Sequence, residues 1–189
     1  MARVDLDLVN LEAKDARAPA EQERTFSASR AQLHLLVRAD DTIDVATKLD
    51  NAMIGKGYRP KLGGALPLAE LRGKIAQGAS FLMLEEGRGN FSDAVEEWRR
   101  NGGMIAVERL TLEWAGLKTD LAGDLALDDT HRLQGELKGA VDAGALVGAM
   151  TGGQLNLEAA GGAKIPISLR FRGGDIEAGL SSGLGLPAR

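Results

Sequence analysis

The chain contains no cysteine, which excludes disulfides, thiolate zinc sites and cysteine nucleophiles together and leaves the redox compartment open. Aromatic residues make up 4% of the sequence, so a core has to be built from Leu, Val, Ile and Ala. Histidine occurs only at His34 and His131, with none of the HxH or HxxxH spacing that would bring two imidazoles to one metal. No apolar run reaches about 18 residues, so no membrane span is expected in this chain. The opening MARVDLDL lacks the charged and apolar regions of a signal peptide. With 23 basic and 27 acidic residues, net charge −4, and no basic run interleaved with aromatics, nucleic acid is not an expected partner. There is no phosphate loop, no GxGxxG between strand and helix and no GxSxG elbow. The expectation is therefore no catalytic residue, no cofactor and no metal.

What is present is alternation. A chain of 189 residues, 44% hydrophobic and with 25 glycines, is long enough to bury a core, and we read residues 1–189 as a single β-rich domain. Val4, Leu6 and Leu8 alternate with polar residues before a shift to Leu11. Phe26, Ala28, Ala31, Leu33, Leu35 and Val37 alternate with one slip at Ser29-Arg30, the signature of a β-bulge. Ala39-Asp40-Asp41 turns the chain into Ile43, Val45, Thr47 and Leu49, giving a hairpin. Leu66, Leu68, Leu71 and Ile75 fit helix or strand, and strand is preferred. Ile105 and Val107 take one parity and Leu110, Leu112 and Trp114 the other, which places a bulge near Glu108-Arg109. Leu117 to Leu127 and Leu133 to Val141 complete a meander, and Ile165 to Phe171 return through Arg172-Gly173-Gly174-Asp175 to Ile176, Ala178 and Leu180 as a final hairpin. Leu155 and Leu157 begin another strand candidate. Because the first strand starts almost at residue 1, the chain is expected to be the C-terminal part of a longer membrane-anchored or exported protein.

Two short helices are expected. Ser92 caps the first, with Phe91, Val95 and Trp98 on its apolar side, acids near its start, Arg99 and Arg100 near its end, and Asn101-Gly102-Gly103 as its stop. Asp142 caps the second, which runs to Thr151. The fold class is α+β and β-rich: a curved antiparallel sheet, incomplete barrel or sandwich with both helices packed on its open face or ends.

No residue set stands out as catalytic. Asp120 and Asp124 with Glu108 or Glu113 have the composition of a carboxylate pair for hydrolysis or Ca²⁺, but evenly spaced acids on a wet sheet face more often serve solubility. His34 lies on the polar parity of its strand and His131 beside a turn, both as solvated histidines. Gly135 and Gly139 smooth one face where a helix, or a ligand, approaches closely. Trp98 and Trp114 are either anchors between helix and sheet or ligand platforms. A Leu-lined interior with few rings leaves room for an apolar groove or helix-sheet anchor formed by Trp98, Trp114, Leu112, Leu125 and Leu137.

Trp98-Arg99-Arg100-Asn101-Gly102-Gly103, the strand from Ile105 closing on Leu112-Glu113-Trp114, Gly123-Asp124-Leu125-Ala126-Leu127-Asp128 and Gly135-Glu136-Leu137 follow one another in an order that resembles domain-of-unknown-function family 2125, a family of uncharacterised Gram-negative envelope proteins. Ile165-Pro166-Ile167 and the hairpin from Phe171 to Gly179 are also similar to that family's C-terminal end. The resemblance covers residues 91–186 best, and Asp129-Thr130-His131 departs from its Gly- or Pro-rich turn. It implies an N-terminal export or membrane segment and a periplasmic or membrane-anchored location, and it supplies no reaction. Three functions follow as expectations: a non-enzymatic envelope protein holding a lipid-like or apolar ligand in a concave sheet, a structural or assembly module that pairs with an envelope protein through a strand edge, or a hydrolase on the acidic face.

Overall fold

The structure, a computed structural model, describes residues 3–14, 25–55, 64–81, 84, 87, 89–114, 116–144 and 163–180. Within them lie nine strands: β1 (Arg3–Lys14), β2 (Thr25–Val37), β3 (Ile43–Ile54), β4 (Ala65–Ile75), β5 (Ile105–Trp114), β6 (Leu117–Leu127), β7 (Leu133–Asp142), β8 (Lys164–Arg172) and β9 (Asp175–Leu180). Each pairs antiparallel with the strand before and after it, so the spatial order is the sequence order. All nine belong to one open sheet, with β1 and β9 at its edges.

Period-two alternation gives this sheet one apolar and one polar face. Pairing lays the apolar side chains in rows across the strands, one of which runs Leu6, Leu33, Thr47, Leu71, Leu110, Leu121, Gly139 and Ile167. The core sits on this face over β5–β7, where Val107, Leu121, Leu125 and Leu137 are buried and Leu110, Leu112, Ile167, Leu169 and Phe171 pack around them. Its most buried leucines, Leu121 and Leu137, face glycine. Leu121 lies opposite Gly139, Leu137 opposite Gly123 and Leu125 opposite Gly135. The expected reason for Gly135 and Gly139, a helix or ligand overhead, gives way to a nearer one: a Cβ on either would stand 2.2 or 2.0 Å from the carbonyl oxygen of Asp124 or Asp120 on β6.

The bulge at Glu108-Arg109 is present. Val107 pairs with Gly123 but Leu110 with Leu121, leaving two residues of β5 against Ala122. The slip at Ser29-Arg30 is not a bulge, because the register of β2 is the same on both sides of it. Instead the apolar parity switches in four strands at one level, from Leu8 to Leu11, Ala31 to Ala28, Leu49 to Ala52 and Ala69 to Leu66. Asn10 and Asn51 lie at this level with φ of 53° and 48°, a left-handed conformation that asparagine tolerates better than most residues. Ser29 Oγ donates to the Asp50 carbonyl at 2.9 Å and accepts from Asn51 Nδ2 at 3.3 Å. Beyond the break, Ala28, Ala52 and Leu66 form a second small core with Phe26 and Trp114 against it.

Among the described residues, the helix α1 (Phe91–Arg100) and a 3-10 turn at Gly78–Phe81 lie in the connection from β4 to β5. Asn90, not Ser92, is the N-cap, its Oδ1 accepting from the Asp93 N–H at 3.0 Å. The buried stripe is Ala94 and Trp98, whereas Phe91 is exposed. A second helix is not borne out: Asp142, its expected cap, is the last residue of β7, and residues 145–162, with the Leu155 to Leu157 strand candidate, lie outside the described residues. No helix among the described residues is long and apolar enough to cross a membrane.

Candidate functional site

The apolar face differs in accessibility from one side of the sheet to the other. Over β6 and β7 it is closed, with Leu121 and Leu137 each 1% exposed. Over β2 and β3, Leu33, Leu35 and Val45 are half-buried, and on β1 the same rows end in Val4, Leu6 and Leu8, exposed by 52%, 44% and 37%. Nine strands at the usual spacing make a face on the order of 40 Å wide. Toward β1 it is open among the described residues.

The five residues expected to line a groove do not converge. Leu125 and Leu137 are buried in the main core and Leu112 packs beside them. Trp114, at the end of β5, lies at the break against Ala28, Ala52 and Leu66. Trp98 belongs to the other end of the sheet, where its Nε1 donates to the Ala76 carbonyl at 2.6 Å and its ring lies where a side chain on Gly103 would have to go. Phe81 stacks obliquely on it at 6.3 Å between ring centres. Since Ala76 and Gly103 flank the terminal pair Ile75 and Ile105, α1 caps the sheet end, and the two indoles are separated by about the 30 Å length of β5.

The model of the family described as "Uncharacterized protein conserved in bacteria (DUF2125)" matches residues 1–184. The chain belongs to that family. No curated protein and no solved structure matches it.

On the polar face of this DUF2125 chain, three of the four acids expected as candidates for a hydrolytic pair hold a cation. Glu108 takes Lys74 at 2.8 Å, Glu113 takes Lys118 at 2.8 Å, and Asp120 takes Arg109 at 3.0 Å. The guanidinium of Arg109, then the Thr111 hydroxyl, keep the Asp120 carboxyl below its ordinary range, the opposite of what a general acid requires. No group of three or more His, Asp or Glu able to hold a metal ion occurs among the described residues.

The sequence did not reveal what the two histidines touch. His34 Nδ1 lies 2.7 Å from Asp5 Oδ1, joining β2 to β1, and His131 Nε2 lies 2.9 Å from Glu96 Oε2, joining the β6–β7 turn to α1. The polar parity of His34 and the turn position of His131 predict exposure, and only the strand register and helix placement bring a carboxylate to each. A hollow of about 850 Å³ also opens on this face, walled by Arg3, Asp5, His34, Arg72, Lys74 and Glu108. Most of its charges are already paired within the wall, as in Arg3–Asp5 at 2.6 Å.

Proposed function

We propose that the protein is a non-enzymatic module of the cell envelope, on its periplasmic side, whose apolar sheet face holds the acyl chains of a lipid-like ligand. The observation that carries this reading is the continuity of the apolar rows from the closed core out to the exposed Val4, Leu6 and Leu8. An apolar sheet face is stable only when something covers it, and contiguous exposed apolar surface marks a place where a ligand or partner binds. The envelope setting follows from the resemblance set out above. The neutralised carboxylates of the opposite face favour binding over hydrolysis.

Trp114 is a built-in reporter, since it sits on the apolar face while Trp98 is sealed at the sheet end. Titration with a brominated fatty acid should quench tryptophan emission, and Trp114→Phe should abolish most of that quenching. Emission unchanged up to the probe's solubility limit would count against the reading.

A second reading is favoured by β1 itself. It is a twelve-residue strand that pairs only with β2 among the described residues, and an exposed apolar edge of this length is a template for another strand. In this reading the module assembles by sheet extension. The two readings are compatible, because an added strand would lengthen the same apolar face.

A further inference from the structure

We propose that the strand added to β1 is β1 of a second copy of this chain, antiparallel about a two-fold axis beside Asp5, so that the two apolar faces become one. The proposal rests on the second reading above and names its partner. In an antiparallel pair, residues directly opposite share a face, so β1 can meet itself only in registers that place apolar against apolar. Centring the pair on Leu6 sets Val4 opposite Leu8 but also sets Asp5 opposite Asp7 twice. Centring it on Asp5 sets Val4 opposite Leu6 twice and Arg3 opposite Asp7 twice. Its single like-charge contact, Asp5 with Asp5, is softened by the Arg3 and His34 that each carboxylate already holds at 2.6 and 2.7 Å. Between these two registers charge selects the one centred on Asp5, and centring on Val4 would pair only Arg3 to Asp5 of the strand.

Charge also selects β1 over β9, the other edge among the described residues. On β9 the polar-face residues are Asp175 and Glu177, partners of Arg172 and Arg170 on β8. A β1–β9 contact would bring them beside Asp5 and Asp7, and such a head-to-tail contact generates rings or open filaments instead of a two-fold pair. The β1–β1 contact is self-complementary and closed. It also supplies a part the apolar face lacks in one copy: the partner's Val4 and Leu6 would lie beside this chain's, continuing rows that otherwise end in solvent.

Sedimentation analysis of the wild type, Arg3→Asp, Asp7→Arg and the double swap tests both partner and register. The proposal expects a wild-type dimer, each single swap weakening it about tenfold, as expected for turning two attractive cross-strand pairs repulsive, and the double swap restoring it. Because a single swap also disturbs Asp5 or Arg30 on its own copy, an independent variant is needed. With no native cysteine, Asp5→Cys should form a covalent dimer on mild oxidation and Val9→Cys should not, since residues at the axis approach within disulfide range. A wild type that stays monomeric at every concentration overturns the proposal. A dimer that crosslinks through Val9→Cys and ignores the charge swaps also overturns it, while leaving assembly through the edge standing in another register.

Discussion

Gly123, Gly135 and Gly139 govern how closely β6 and β7 approach. Gly123 and Gly135 have φ of 152° and 138°, a region favouring glycine, and a Cβ at Gly123 would stand 2.1 Å from the Glu136 carbonyl oxygen. The leucine opposite each glycine occupies the space that a facing side chain would need. A methyl at either position must push the strands apart and displace a packed leucine. Gly135→Ala should therefore destabilise the fold by about 1–3 kcal/mol, measured as a lowered midpoint in chemical unfolding. An unchanged midpoint would show that the close approach is not required. The sequence displayed these glycines inside strands, but their cause was hidden, because it lies in the neighbouring backbone and so depends on register.

At the scale of elements, α1 is held on two sides of its second half. Trp98 fixes one side to Ala76 and Gly103, and Glu96 fixes the other, accepting from Arg99 at 2.8 Å and Arg100 at 2.6 Å and meeting His131 at 2.9 Å. Arg99 first, then Arg100, hold the Glu96 carboxyl down to about 2. A carboxyl lowered on folding adds stability above its unfolded pKa near 4.5, and that stability is lost as the pH falls toward 2. Glu96→Gln should thus be less stable than the wild type at pH 6, with the difference closing between pH 4.5 and 2, as followed by thermal unfolding across that range. A constant difference would remove the ionic account. Strands were legible wherever alternation was strict, and the two parities of β5 correctly revealed its bulge. The same parity change in β2 meant something else, because β1, β3 and β4 change together there, and only pairing can distinguish a bulge from a break that crosses four strands. Asn10 and Asn51, which adopt the unusual conformation, read in sequence as ordinary polar positions. The helix was legible from its charges and Gly-Gly stop, but Asn90 took the cap from Ser92 and Ala94 replaced Phe91 in the buried stripe. Where Trp98 docks was not legible, since its acceptor is a backbone carbonyl 22 positions away.

For the whole molecule, the decisive property is a single sheet with chemically opposite faces. The polar face is an array of exposed ion pairs, which individually contribute little stability but keep that side wet. The apolar face is closed over β6 and β7 and open toward β1, and the proposed ligand covers the open part. Residues expected to form one groove instead divide among the main core, the break and the sheet end, which puts the proposed ligand on β1–β4, where half-buried Leu33, Leu35, Val45 and Leu71 share rows with the exposed residues of β1. Alternation in the sequence revealed that face; which part of it was left uncovered depended on how nine strands are ordered. The most direct measurement of the central claim is native mass spectrometry of the protein purified, without detergent, from a lysate that retains its membranes. The account predicts a species heavier than the protein by the mass of a lipid, which organic extraction releases and which Leu6→Lys with Leu33→Lys depletes. A protein found only at its bare mass, and unable to take up added fatty acid, would contradict it.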